Sequence, residues 1–250
     1  SMTDSTAPTI VVSAGPDEAA CCTADLITES MRENHAAVLG LATGGTPVGV
    51  YRQLVERCRS GELDFSGVTT FNLDEYVGLG PEHSQSYRYF MQQQLFDHVN
   101  ILASNTYVPD GRATDIESYV VEYERQIRQA GGIDLQLLGI GNNGHIAFNE
   151  PGSAIDSRTR MVALMENTID SNSRFFESAD LVPRSAITMG IGTILESRRI
   201  VLMATGKAKA AVIKAAIEGP IDPVNPASLL QQHPQLTFVL DQAAASGLNV

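Results

Sequence analysis

From Thr9 onward the chain alternates short apolar runs with longer segments in which apolar residues recur every three or four positions. The runs are Thr9–Ser13, Ala37–Ala42, Val68–Leu73, Ile133–Ile140, Arg199–Ala204 and Leu236–Leu240. Short apolar stretches of this kind are the signature of strands buried on both faces. Asp17–Glu33, Val48–Arg59, Tyr87–Phe96, Asp115–Ala130 and Lys209–Glu218 carry the period of amphipathic helices. Gly131-Gly132 and Gly219-Pro220 end two of them. Strand and helix in alternation predict an α/β domain, doubly wound, with a parallel sheet covered on both faces. No repeat, low-complexity tract or linker divides the chain. One domain over residues 9–250 is expected behind a loose polar tail at residues 1–8, in which Ser1 before Met2 reads as an added residue. In such folds ligands bind beyond the carboxyl ends of the strands, so the strand-to-helix loops are where chemistry is sought.

Composition narrows the classes. The 250 residues carry 17 Lys+Arg against 29 Asp+Glu, a formal net charge of −12, with 43% hydrophobic residues and no block of basic residues. Such a chain is repelled by nucleic acid and by anionic lipid, so neither is an expected partner. No apolar run is long enough to span a bilayer, and no basic, then apolar, leader is visible. Cys21, Cys22 and Cys58 are odd in number and lie in helical stretches, the pattern of reduced thiols in a cytoplasmic protein. A phosphorylated ligand would have to be held against the general field by a few local donors.

Three loops supply candidates. Thr43-Gly44-Gly45-Thr46-Pro47 follows the second run and leads into a helix expected from about Pro47. Glycines let the backbone approach a ligand, hydroxyls donate, and a helix N-terminus offers N–H groups and positive dipole to an anion. The same residues would also make a plain tight turn, with Thr46 as cap and Pro47 at the first helical position. The Walker Gly-Lys-Ser/Thr ending and the three-glycine dinucleotide spacing are both missing, so a nucleotide is not indicated. The second loop, Asp74-Glu75-Tyr76, puts two acids at the mouth of the sheet, where they serve as general base and neighbour or simply cap a helix. The third runs from Gly141 through Asn143, Gly144, His145 and Glu150 to Gly152. Glycine turns expose His145, and Asn143 or Glu150 lies within reach to fix its tautomer. His35, His83, His98 and His233 lack such company. His145 with Glu150 is too small a ligand set for a metal. Two cations complete the inventory: Arg174 between Ser173 and Phe175-Phe176, and Lys209 near a helix N-terminus, where a lysine often has an anion to meet, although either residue taken alone reads first as a solvated surface charge.

Taken in order, Leu41 to Pro47, Phe71-Asn72-Leu73-Asp74-Glu75-Tyr76-Val77-Gly78-Leu79, Gly139 to Pro151, Asn172 to Phe176 and Lys209-Ala210 resemble the glucosamine-6-phosphate deaminase family, over essentially the whole chain from Thr9. That resemblance implies a Rossmann-like, three-layer α/β/α sandwich and an enzyme converting glucosamine 6-phosphate and water to fructose 6-phosphate and ammonia. It implies neither metal nor organic cofactor, and a small sugar phosphate as the partner; oligomeric state is not readable. By resemblance, Asp74 is the base that moves a proton between C2 and C1. His145 opens the sugar ring, with Glu150 as its orienting partner and Asn143 beside it. Thr43, Gly44, Gly45, Thr46, Arg174 and Lys209 match the phosphate site. Asn167 to Ser185 resembles a mobile lid.

Two positions depart from the pattern. Asn143 stands where some members carry Asp, which removes a negative neighbour of His145. Ser153 and Arg160 match an effector site for N-acetylglucosamine 6-phosphate, yet Val162 replaces a Lys there, which argues against activation. A galactosamine-6-phosphate deaminase is the nearest rival reading. A 6-phosphogluconolactonase would lack Phe71 to Tyr76 and the Phe148-Asn149-Glu150-Pro151 continuation, and a sugar-phosphate-responsive regulator would need a DNA-binding segment.

Overall fold

All six apolar runs become strands of one parallel sheet. The computed structural model describes residues 7–249, so most of the expected tail, residues 1–6, lies outside the described residues. The strands are β1 (Thr9–Ser13), β2 (Val38–Leu41), β3 (Thr69–Asn72), β4 (Asp74–Tyr76), β5 (Thr106–Tyr107), β6 (Leu135–Leu138), β7 (Arg160–Ala163), β8 (Ser185–Thr188), β9 (Arg199–Ala204) and β10 (Leu236–Asp241). The helices are α1 (Pro16–Glu33), α2 (Val48–Arg59), α3 (Tyr87–Gln94), α4 (Ile116–Gln129), α5 (Glu166–Asn172), α6 (Ile191–Leu195) and α7 (Ala210–Glu218). The main sheet has seven strands in the order β1-β10-β9-β6-β2-β3-β5. Every pair in it is parallel, as the crossover helices require.

Alternation along the strands sends side chains into two cores. Leu39, Leu41, Leu135 and Leu137 pack on α1 and α2 through Ala24, Ile27, Val50 and Leu54. Phe71, Leu138 and Leu202 face the other way, onto Tyr123 and Ile127 of α4, Ile194 of α6 and Ile213 of α7. The doubly wound three-layer sandwich is therefore the architecture, with the sheet order reversing direction between β6 and β2.

Two features differ from the pattern read in the sequence. β5 is a two-residue strand at the sheet edge, too short to show a period. A second sheet of three antiparallel strands, β4-β8-β7, sits beside the first. Asp74-Glu75-Tyr76 is thus a strand and not a loop: the chain leaves the parallel sheet at Leu73, which is bonded to both sheets through Leu73 N to Leu41 O and Met189 N to Leu73 O. The segment resembling a lid comprises α5, two short 3-10 turns and the start of β8. No helix among the described residues is long and apolar enough to cross a membrane. Cys21, Cys22 and Cys58 are free, on α1 and α2.

Candidate active site

The loops after β2, β3 and β6 enclose a cavity of about 220 Å³ at the carboxyl end of the sheet, lined by Thr43 to Thr46, Asp74, Tyr87, Gly141, His145 and Phe148 among others. A wider depression of about 450 Å³ along α1 and α2 carries charges that are already paired, Arg57 with Asp25 at 2.8 Å and Arg32 with Glu62 at 3.2 Å. The smaller cavity holds the unspent chemistry.

Its floor is the turn from Thr43 to Pro47. Gly44 has φ +96°, a conformation that glycine alone takes without strain. Pro47, not Thr46, is the cap residue of α2, and the Thr46 side chain makes no capping bond. Among the described residues, the N–H groups of Gly44, Gly45 and Thr46 and the hydroxyls of Thr43 and Thr46 have no protein partner. Unpaired donors at a helix start are what an anionic group needs.

Asp74 is buried, 7% exposed, and its carboxylate receives no hydrogen bond from any described residue. Burial, and then the neighbouring Glu75 charge, push its pKa up to about 8. Glu75 is buried the other way. Its Oε1 accepts from Tyr76 N and Tyr87 N, both at 2.9 Å, and its Oε2 from Ser86 Oγ at 2.9 Å and Arg88 N at 3.0 Å.

The histidine loop hangs on backbone bonds from Gly141 N to His145 O and from Gly144 N to Gly141 O. Gly141 is required: a Cβ there would fall 1.9 Å from His145 Cε1, so the imidazole lies directly over its backbone. Asn143 Oδ1 accepts from His145 N at 3.0 Å and from Nδ1 at 2.7 Å, while Asn143 Nδ2 donates to Glu150 Oε2 at 2.9 Å. An amide oxygen only accepts, so Nδ1 carries the proton and Nε2 is left as the free base. Glu150 lies 3.9 Å from Nδ1 and orients the ring through Asn143. Burial lowers the His145 pKa, Glu150 raises it and Lys209 lowers it, with a net downward shift that favours the neutral ring. Ala147, on the cavity wall, has φ +52°, the one non-glycine residue with positive φ among those described.

The two cations are placed differently. Lys209 caps α7, and its Nζ donates to Ile140 O at 2.7 Å and to Asn142 Oδ1 at 3.2 Å, at the cavity rim and without an acidic partner. Burial lowers its pKa. Asp241 holds the loop before it, accepting from Gly206 N at 3.0 Å and from Ala244 N at 2.8 Å. Arg174 does not line the cavity; its guanidinium lies over the Phe175 ring at 4.6 Å on the exposed lid-like segment. Phe176 stacks on His83 at 5.2 Å.

Tyr87 and Phe148 line the cavity as stacked rings, 6.2 Å apart and within 3° of parallel, and were not singled out in the sequence. Tyr87 Oη donates to Tyr76 Oη, which also accepts from Asn172 Nδ2 of α5, both at 3.2 Å. Their only local mark is that Ser86 caps α3 and so places Tyr87 at its first turn. Among the described residues no three His, Cys, Asp or Glu side chains come together as a metal site requires.

A doubly wound α/β protein with a buried acid, a tautomer-fixed imidazole and a row of unpaired donors in one cavity is of the class equipped for general acid–base chemistry beside a bound anion. Residues 15–238 match the family described as glucosamine-6-phosphate isomerases/6-phosphogluconolactonase, and the chain belongs to it. A glucosamine-6-phosphate deaminase of Rhodopirellula baltica is 55% identical over 233 residues, 93% of each chain. One of Thermoanaerobacter pseudethanolicus is 49% identical over 237 residues, 95% of this chain and 94% of its own. The solved structure of a monomeric glucosamine-6-phosphate deaminase superposes with a TM-score of 0.91 at 43% identity, covering 96% of this chain and all of its own. A 6-phosphogluconolactonase from Trypanosoma cruzi, 22% identical and covering 98% of both chains, shares the fold at a TM-score of 0.77.

Proposed function

We propose that the protein is a glucosamine-6-phosphate deaminase, a single functional unit from Thr9 onward acting in the cytoplasm. What supports this most is the conjunction of near-full-length identity to enzymes of that name with Asp74 and His145 on the walls of one cavity. The substrate phosphate sits on the donors of Gly44, Gly45 and Thr46 with the hydroxyls of Thr43 and Thr46. Lys209 supplies a cation once its ammonium swings from Ile140 O, and Arg174 reaches the phosphate only when the lid-like segment closes.

His145 Nε2 takes the proton of the anomeric hydroxyl and returns it to the ring oxygen, which opens the pyranose. Asn143 and Glu150 keep the ring in the competent tautomer throughout. Ionised Asp74 removes the C2 proton of the open amino aldehyde while a proton passes from the C2 ammonium to the aldehyde oxygen, and Asp74 then returns its proton to C1, leaving a hydroxymethyl group at C1 and an iminium at C2. Water adds to that carbon, ammonia departs, and the ketone of fructose 6-phosphate remains. The Asp74 charge is costly in its buried position, which makes it a stronger base than an exposed aspartate.

Ammonia release from glucosamine 6-phosphate and from its galacto epimer tests the reading. Release is expected with the gluco sugar and lost, by about 10³-fold or more, in Asp74→Asn. No release from either sugar overturns the deaminase assignment, and undiminished release in Asp74→Asn overturns the choice of base. N-acetylglucosamine 6-phosphate is expected to leave the substrate dependence unchanged, since Val162 packs into the small apolar cluster of Leu164, Ile169 and Val182 and offers no charge. A large fall in apparent KM on its addition would contradict this.

A further inference from the structure

Asp74 has a neighbour that the chemistry above does not use. Glu75 is 1% exposed, and no lysine or arginine among the described residues pairs with it. The Arg88 guanidinium instead donates to Thr106 Oγ1 and Thr106 O. All four groups bonded to Glu75 are donors: three backbone N–H groups, two of them in the first turn of α3, and the Ser86 hydroxyl. Ser86 Oγ already accepts from Tyr89 N, so its proton is directed at Glu75. A protonated Glu75 would lose one of these bonds and have to turn Ser86 Oγ into its acceptor, whereas a carboxylate accepts all four as they stand.

We propose that Glu75 is a positioning residue for the deaminase reaction: a buried carboxylate that clamps β4 to α3, so that Asp74 and Tyr87 face the cavity together, and that sets a negative charge beside Asp74. The inference rests on Asp74 being the base. Burial raises the pKa of both acids, but four donors counter it at Glu75 and none among the described residues does so at Asp74, so the pair releases its protons in order, Glu75 first and Asp74 second. The groups facing Asp74 are Glu75 and Tyr76 of β4, Tyr87 of α3, Tyr123 of α4 and, across the cavity, His145, with Glu150 and Lys209 beyond it. Burial pushes all three tyrosines upward, and they stay neutral in the working range. Glu75 is therefore the one charge adjacent in sequence to the base; the nearest cation, Arg88, feels its charge but makes its own hydrogen bonds to Thr106 and none from its guanidinium to Glu75.

The test is the pH dependence of kcat/KM for ammonia release by the wild type, Glu75→Gln and Glu75→Asp, with folding followed by circular dichroism. The same substrate is used throughout, so its own ionisations cancel between proteins. Glu75→Gln removes the charge and is expected to move the acidic limb toward lower pH by about one unit, the scale on which adjacent acids couple. Glu75→Asp keeps the charge but shortens the reach to α3, so kcat falls while the limb stays. A role confined to structure lowers kcat in both without moving the limb, and a folded Glu75→Gln enzyme with an unmoved limb overturns the proposal. Undiminished activity in Asp74→Asn would instead remove its premise. If Glu75→Gln does not fold, carboxyl carbon NMR of the wild type reads the order of ionisation, and Asp74 ionising before Glu75 overturns it.

Discussion

At the scale of single residues, the site works by withholding partners. Among the described residues Asp74 finds no donor and the Thr43 and Thr46 hydroxyls no acceptor, and His145 Nε2 is left free because Asn143 occupies the other nitrogen. Gly141 shows how narrow the tolerance is. In Gly141→Ala the new methyl meets the imidazole, a half-exposed side chain that can swing aside, and not rigid backbone. Stability is expected to fall by only about 1 kcal/mol, while kcat falls by roughly 100-fold because the imidazole is displaced. Thermal unfolding and steady-state kinetics on one preparation check the asymmetry, and parallel losses in both would contradict it. The glycines, His145 and Asp74 were legible in the sequence because each announces itself within a few residues. Tyr87 was not, since it reaches the cavity through a helix that Glu75 anchors from another strand. Nor was the distance of Arg174 from the cavity, which depends on how the lid-like segment packs.

At the scale of elements, loops that carry chemistry are tied down by side chains standing elsewhere. Asp241, at the end of β10, receives Gly206 N and Ala244 N, which fixes the turn from β9 into α7 and with it Lys209. Asp241→Asn leaves one of these donors facing an amide N–H and weakens a charged hydrogen bond worth about 1.5–3 kcal/mol. KM for the sugar phosphate is expected to rise about tenfold with kcat changed less, read by initial rates over a range of substrate. A fall in kcat alone would place Asp241 nearer the reacting carbons than the geometry does. The parallel strands were readable because each is a buried apolar run bounded by turns. The β4-β8-β7 sheet was not, because Asp74–Tyr76 begins with two acids and Arg160–Ala163 alternates half-buried with exposed positions, so neither shows the continuous apolar run that marked strands of similar length in the parallel sheet.

At the scale of the molecule, two buried acids pull stability in opposite directions. Glu124 of α4 accepts from Arg158, Thr159 and Thr193, and these partners outweigh burial to lower its pKa from 4.5. Its contribution is full above 4.5 and is lost as the pH falls through the lowered value. Asp74, raised from 3.8 to about 8, keeps a proton in the folded state that the unfolded chain has released, so stability declines as the pH rises through that interval. Asp74→Asn removes the second effect. The variant is expected to melt higher than the wild type at pH 8, by about 5 °C for a gain near 2 kcal/mol in a chain of this length, with the gap closing toward pH 4. A constant gap across the range would show that the side chain titrates normally. Catalytic competence and stability are thus opposed at this carboxylate.

The neighbours of β1 bear on how the protein is made. That strand pairs with β10 alone, at the sheet edge, in a register running from Thr9 opposite Thr237 to Ser13 opposite Asp241. During synthesis β1 emerges well before its partner, with every other strand of the sheet between them. The strands β2, β3, β5 and β6 adjoin one another and can dock while the ribosome is still at work, carrying the Thr43–Thr46 turn with them. Closure of the sheet, and the Asp241 hold on the Lys209 loop, wait for Leu236–Asp241. Ligand competence therefore waits for β10 to emerge, and nascent chains stopped before Leu236 would be the most dependent on chaperones.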